Sequence, residues 1–246
     1  MTVTSTVDRL PPADLAEVTA LADLQARVDR KYIVDRDVVE AVLAALGGSA
    51  AVLEIEAERA FDYRSQYFDT PDLVLFREAA QRRRRQFKVR TRSHGSRSEL
   101  MLEVKTKGRR GLTIKTRTPH SAAAGDALDD ADRTFVADIV ARDNVVAALV
   151  PTLTTEYTRS TLVDRALSTR TTIDEGVRCT DWRGEAVCLD EIIVETKSAG
   201  SASVTDRVLW SMGIRPVRLS KFCTSLAALH PELPSNRWSR TLRRYF

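Results

Sequence analysis

The chain has few of the residues that most often carry catalysis or hold metal. Its 246 residues include three histidines and three cysteines. His94, His120 and His230 stand far apart, each reads as a loop or surface residue, and no HExxH pattern offers a zinc site. Cys179, Cys188 and Cys223 are odd in number and widely spaced. That excludes a disulfide framework and a CxxC metal site, and predicts buried free thiols in a reducing compartment. Ten glycines form neither GxxxxGK[ST] nor GxGxxG, so both common Gly-rich phosphate cradles are missing. There is no GxSxG elbow. No apolar run approaches the ~20 residues of a membrane-spanning helix. The opening MTVTSTVDRLPPADLAEV lacks the apolar segment of a secretory signal. These absences predict a cytoplasmic protein.

What the chain does have is an uneven distribution of charge. The net charge is only +4, yet 77–117 holds fifteen Lys or Arg against three Glu, a local +12 that leaves −8 for the remainder. A field of that size draws in anions and raises their encounter rate. Within it, RRRRQFKVRTR begins as a basic run at Arg82 and becomes an alternation, with Lys88, Arg90 and Arg92 opposed to Val89 and Thr91. Successive strand side chains point to opposite faces, so a cationic row backs onto an apolar one. The pattern repeats. Glu103, Lys105 and Lys107 alternate with Leu102, Val104 and Thr106, and Lys115 and Arg117 alternate with Ile114 and Thr116. Several adjacent strands with one charged face suit a polyanion.

The 43% hydrophobic content is that of a globular domain. Periodicity and turn residues predict a helix over 14–26 with Leu15, Val18, Leu21 and Leu24 buried, a strand containing 30–34, and a helix over 37–46 ended by Gly47-Gly48. Strands follow at 51–60, 63–69, 82–93, 98–107 and 112–118, joined by Gly-containing turns at 94–96 and 108–111. A helical or irregular piece occupies 73–80. Helical patterning runs over 131–150 with a break near Asp143-Asn144. Strands resume at 152–165, 168–178, 186–197 and 215–219, with helices at 202–212 and 221–229. The expected class is α+β: an antiparallel β-barrel decorated with helices, a single domain over 1–246 with a basic tail from Arg237.

The charged strand positions form one series: Lys31; Lys88, Arg90, Arg92; Glu103, Lys105; Lys115, Arg117; Arg159; Arg170; Glu195, Lys197; and Lys221 at a helix start. In a closed barrel, interior positions alternate with exterior ones. An inward set this cationic cannot pack dry, because unpaired buried charge is too costly. It would line a wet, anion-filled channel, with helices covering the opposite row. Phosphate chemistry would then rest on Lys and Arg and a carboxylate-held metal.

With these positions in view, the chain resembles the VTC (vacuolar transporter chaperone) polyphosphate polymerase domain of the triphosphate tunnel metalloenzyme superfamily, over residues 27–230. The resemblance is carried in order by Arg30-Lys31-Tyr32, Ser65 to Thr70, Lys88 to Arg92, Glu103-Val104-Lys105, Lys115-Thr116-Arg117, Tyr157-Thr158-Arg159, Arg170 to Asp174, Val194 to Lys197 and Ser220-Lys221-Phe222. It implies a triphosphate tunnel fold and ATP-dependent extension of inorganic polyphosphate. In that reading Lys31, Arg90 and Arg92 are catalytic. Lys88, Lys105, Lys115, Arg117, Tyr157, Arg159, Arg170, Lys197 and Lys221 bind substrate, with Tyr157 near the nucleobase. Glu195 and Glu103 hold Mn²⁺ or Mg²⁺. The family also implies a membrane-protein partner that this chain does not encode.

Some signals stay apart from that set. Glu54, Glu56 and Glu58 form ExExE, which reads as a solvated strand face. Arg27, Asp29 and Lys31 stand where hydrolytic tunnel enzymes have ExExK, so a carboxylate for a second metal is missing. Ser65 to Thr70 reads as structural. Arg82–Arg85 meets solvent or guides polyphosphate at a channel mouth, and the basic tail suits a membrane surface, a partner or polyphosphate, or equally a plain docking helix. A tunnel triphosphatase and a non-catalytic polyphosphate or nucleic-acid binding module are the alternatives. Nucleic acid is disfavoured because the basic strands lack interleaved aromatics for base stacking.

Overall fold

A computed structural model of the chain describes residues 7–22, 28–95, 99–108, 113–121, 126–164 and 169–246, and for 20–22 the backbone alone. The strands are β1 (Pro12–Ala13), β2 (Val28–Val34), β3 (Ala50–Leu53), β4 (Phe61–Asp69), β5 (Phe87–His94) and β6 (Met101–Lys107). They continue with β7 (Thr113–Pro119), β8 (Val150–Asp164), β9 (Thr169–Asp181), β10 (Ala186–Leu189) and β11 (Ile192–Ser198). The helices are α1 (Leu15–Ala22), α2 (Arg36–Leu46), α3 (Val74–Ala80), α4 (Asp130–Val140) and α5 (Asp143–Ala147). After them come α6 (Val204–Ser211), α7 (Lys221–Leu229) and α8 (Ser239–Tyr245). The chain forms two compact units. The first comprises Met1–Asp62, Tyr157–Val177 and Leu189–Arg218, and the second Tyr63–Glu156, Arg178–Cys188 and Leu219–Phe246.

In the first unit the strand order is β2-β11-β9-β8, with β3 on β8 and the short β1 parallel to β3. The main ladders are antiparallel, as expected. One face is apolar: Tyr32, Val34, Ile173, Ile192 and Val194 pack against Val39, Val42, Leu43 and Leu46 of α2 and Leu209 of α6. Each such aliphatic side chain, fully buried, contributes ~1.5–3 kcal/mol. Asp35 holds extended backbone before α2, and Gly47, at φ 48°, ends it in a conformation that a side chain would strain.

In the second unit the order is β8-β4-β5-β6-β7, again antiparallel, with β10 paired to β9. Val89 lies opposite Val104 and Thr91 opposite Leu102. This row packs with Phe68, Leu75 of α3, Val136 of α4, and Val145 and Val146 of α5. The helices thus cover the apolar rows of β5 and β6, as the alternation requires, whereas Ile114 in the corresponding row of β7 is exposed. Asp129 and Asp132 close a reciprocal capping box at the start of α4. The Asp69 carboxylate accepts the amides of Thr70, Leu75 and Phe76 at 2.7, 2.8 and 2.8 Å, which ties the end of β4 to α3.

Several predicted features differ. The strand expected over 51–60 ends at Leu53, because Glu56 and Ala57 adopt left-handed backbone (φ 50° and 65°) and turn the chain back on itself. ExExE is therefore a turn, not a strand face, and Glu54 pairs with Arg59 at 2.7 Å. The basic strand begins at Phe87 rather than at residue 82, since Arg82 is left-handed (φ 57°) and its amide closes a turn onto the Ala79 carbonyl. The strand expected over 186–197 is split into β10 and β11, and 215–219 forms no strand, although the Val217 amide donates to the Lys31 carbonyl at 2.7 Å. Of the predicted α1 stripe, Val18 is buried but Leu15 is exposed. The side chain of Leu21, residue Leu24 and parts of both Gly-containing turns lie outside the described residues. His120 and His230 are buried rather than on the surface, because each is held by a carboxylate, Asp132 at 2.7 Å and Asp181 at 2.8 Å. Cys179 and Cys223 are buried free thiols as expected, whereas Cys188 is exposed on β10.

Candidate functional site

The second unit turns one side of β5, β6 and β7 into a cationic surface. The antiparallel register sets Lys88 opposite Lys105 and Lys105 opposite Lys115. One rung further, Arg90 lies opposite Glu103 and Glu103 opposite Arg117. Arg92 continues the row on β5. With Lys107 at the end of β6, seven cations among the described residues thus share a face with one acidic residue. Burying like charges together is costly without a counter-charge, and Glu103 supplies it within the protein. Its Oε2 accepts from Nε and Nη2 of Arg90 at 2.8 and 2.5 Å, and Lys115 Nζ lies 3.3 Å from Oε1. Burial would raise the Glu103 pKa, but Arg90, Lys105, Arg92 and Lys115 outweigh it and hold the carboxyl well below the usual range. Lys105 responds in the opposite sense. The charge of Arg90 first, then burial, pushes its ammonium well below the ordinary lysine value. Burial likewise lowers Lys115.

β4 and α7 complete this surface. Tyr67 lies opposite Arg90 in the ladder, and its hydroxyl accepts from Arg90 Nη1 at 2.9 Å. Phe222 of α7 stacks on Tyr67 at 5.1 Å, and Ser220, which caps α7, accepts from Lys88 Nζ at 2.8 Å. Lys221 is the first residue of that helix, so α7 begins beside the cationic row. Ser65, opposite Arg92, carries a buried hydroxyl with no hydrogen-bond partner among the described residues.

The first unit carries a second charged set on β2, β11 and β9. Lys31 lies opposite Glu195 and Glu195 opposite Thr172, while Lys197 lies opposite both Asp29 and Arg170. Glu195 Oε1 is 3.2 Å from Lys31 Nζ and also meets Lys197 Nζ. Burial, reinforced by Lys31, Arg170 and Arg159, pushes Lys197 well below its ordinary pKa, with Asp29 opposing. Arg159 of β8 is clamped by Asp174, Nε to Oδ1 at 2.5 Å and Nη2 to Oδ2 at 2.8 Å, and its guanidinium lies over the buried Tyr157 ring at 5.1 Å. Thr172 Oγ1 is buried without a partner among the described residues.

Each predicted site residue therefore falls on one of two charged faces: Lys31, Tyr157, Arg159, Arg170, Glu195 and Lys197 in the first unit, and Lys88, Arg90, Arg92, Glu103, Lys105, Lys115, Arg117 and Lys221 in the second. Sequence reasoning left out Tyr67, Ser65, Ser220, Thr172 and Asp174. All five lie within the motifs that carried the resemblance, and strand parity already put Ser65 and Tyr67 on one face. No local signal showed which cation each would meet.

Among the described residues no three His, Cys, Asp or Glu side chains are grouped to hold a metal. Glu195 is a hard oxygen donor between two ammonium groups. That fits a Mg²⁺- or Mn²⁺-type ion taking one protein carboxylate and completing its shell with phosphate oxygens and water, and does not fit an all-protein cage. Both oxygens of Glu103 are engaged by Arg90 and Lys115.

Charged strand faces backed by helices define a class, the α+β antiparallel tunnel fold of the triphosphate tunnel superfamily. A Bacillus halodurans protein provisionally called an adenylate cyclase shares the fold at 15% identity and a TM-score of 0.53, with 80% of this chain and 94% of that one covered. A Pyrococcus horikoshii protein aligns at 16% identity and a TM-score of 0.46, over 80% of this chain and 94% of that one. A Hippeastrum protein provisionally called an adenylyl cyclase, whose structure is said to reveal a dominant triphosphatase activity, aligns at 11% and 0.46 over the same shares. The chain belongs to the VTC domain family, whose model matches residues 26–230. Among curated proteins none matches it.

Proposed function

We propose that this protein is a polyphosphate polymerase-like enzyme that transfers the γ-phosphoryl group of ATP to a growing inorganic polyphosphate chain. The observation that carries the reading is the register of β5, β6 and β7, which sets seven Lys and Arg among the described residues on one face around the carboxylate of Glu103. A row of spaced cations fits a repeating phosphate chain better than a lone phosphate. The unpartnered hydroxyls of Ser65 and Thr172 are donors that phosphate oxygens would satisfy.

In this reading Arg90, Arg92 and Lys31 are the cations assigned to charge stabilisation in phosphoryl transfer. Lys88, Lys105, Lys115, Arg117, Arg159, Arg170, Lys197 and Lys221 position phosphates, and Tyr157 borders the nucleotide. Phosphoryl transfer asks for positioning and charge stabilisation more than covalent work by the protein. The attacking terminal phosphate is already anionic, so no general base is needed. Tyr67 and Ser220 aim Arg90 and Lys88. Glu195 is the carboxylate for Mn²⁺ or Mg²⁺, which when bound neutralises charge on the transferring phosphoryl group. Glu103 could join a metal only by releasing Arg90 or Lys115.

Incubation of the protein with ATP and Mn²⁺ tests the proposal. A ladder of long polyphosphate is the expected product. Orthophosphate alone would reassign the chain to triphosphate hydrolysis, and tight RNA binding without ATP turnover would make it a binding module.

A further inference from the structure

The geometry points to a second anion-binding surface on the second unit, apart from the strand rows, that holds a stretch of inorganic polyphosphate. It deepens the function proposed above and rests on it. Two arginine clusters build it, Arg82–Arg85 after α3 and Arg240, Arg243 and Arg244 on α8. All seven are exposed, and no acidic residue occurs in 79–98 or 233–246.

Although more than 150 residues separate the clusters in sequence, one carbonyl joins them. Ala79 O, near the end of α3, accepts the Arg82 amide at 3.3 Å and Nη1 of Arg237 at 2.7 Å. Trp238, buried, packs against Phe76 of α3 at 5.9 Å and fixes the tail there. Arg82 follows Ala79 by three residues and Arg240 follows Arg237 by three, a chain reach of at most about 11 Å each. On α8 the i, i+3, i+4 spacing of Arg240, Arg243 and Arg244 aligns them on one face, with Thr241 buried on the other. Arg237 has a structural task at the helix terminus, where a cation complements the dipole. Arg82, Arg84, Arg85, Arg240 and Arg243 have no ion-pair partner among the described residues. So many unneutralised like charges repel one another, and a bound polyanion relieves that repulsion.

The surroundings select the polyanion. Nucleic acid binding without sequence preference uses several exposed aromatic platforms, whereas Trp238 is buried, Tyr245 is half-buried under Arg244 at 5.2 Å, and Phe246 alone of the three is exposed. Membrane association uses an apolar helix face, whereas the exposed face of α8 is arginine. Polyphosphate asks only for spaced cations.

Binding of long-chain inorganic polyphosphate and of inorganic triphosphate to the full chain, followed at several salt concentrations, tests this. The proteins compared are wild type, Arg84→Gln/Arg85→Gln and Arg240→Gln/Arg243→Gln, each checked for fold by circular dichroism. Each double variant should weaken long-chain binding by roughly tenfold at low salt. Its salt slope should fall by about one per arginine removed. Triphosphate affinity and ATP turnover should stay unchanged. Wild-type long-chain affinity in both variants overturns the proposal, and so does an equal loss of triphosphate affinity. If the variants instead lose binding to anionic-lipid vesicles or single-stranded DNA while keeping polyphosphate, the surface belongs to that other partner and the proposal falls. The binding assay needs no turnover, so a chain that makes no polyphosphate from ATP would refute the catalytic reading and leave this result readable.

Discussion

Arg90 and Glu103 face each other across β5 and β6, two guanidinium nitrogens donating to one carboxylate oxygen at 2.8 and 2.5 Å, with both side chains less than a tenth exposed. Removing one member of a buried pair strands the other, at a cost of about 3–5 kcal/mol. Here the glutamate also offsets Lys105 and Lys115. Glu103→Gln should therefore lower the urea unfolding free energy by that amount, and inorganic triphosphate should restore part of it by supplying negative charge. An unchanged unfolding midpoint would show that the pair is not what balances this face.

Glu195 lies between Lys31 and Lys197 and is the carboxylate assigned to the metal. Glu195→Gln should abolish metal-dependent turnover of ATP and keep most affinity for triphosphate, since the cations remain. Wild-type rates with Mn²⁺ in this variant would refute the assignment.

Lys31 acts in the proposed mechanism on the reacting phosphoryl group rather than on the bound chain. Lys31→Ala should lower kcat by about 100-fold, the scale of losing one charge-stabilising donor, with a smaller change in KM. A rise in KM at constant kcat would make Lys31 a binding residue instead.

Burial raises the pKa of Asp69 from 3.8 to about 6, despite three backbone amides that favour the carboxylate. Because the folded pKa lies above the unfolded one, the associated stability is fully present below the unfolded value and is lost as pH rises through about 6. The shift corresponds to roughly 3 kcal/mol. Unfolding free energies from pH 4 to 7.5, compared between wild type and Asp69→Asn, should diverge across that window. Parallel curves would show that Asp69 does not titrate there.

Much of the fold was legible because its signals are local. Side-chain parity in a strand has period two, so Lys88, Arg90 and Arg92 had to share a face opposite Val89 whatever lay around them. Helix α7 begins and ends where its residues predicted, because Ser220 is a sound N-cap. The misses are equally physical. Left-handed backbone at Glu56, Ala57 and Arg82 costs energy that tertiary packing absorbs, so strands drawn from pattern alone ran too far. His120 and His230 looked isolated because Asp132 and Asp181 reach them only in the folded chain.

The sequence by itself determined which rows are charged, which are apolar, and the family to which nine short motifs in order belong, since alternation and motif order are properties of the chain. Only the tertiary structure decided which charges meet. Glu103 neutralising Arg90, Tyr67 and Ser220 aiming two cations, Asp174 clamping Arg159, and one Ala79 carbonyl drawing two arginine clusters together all depend on strand register and helix docking. Those contacts join residues whose separation in sequence carries no information about their distance in space.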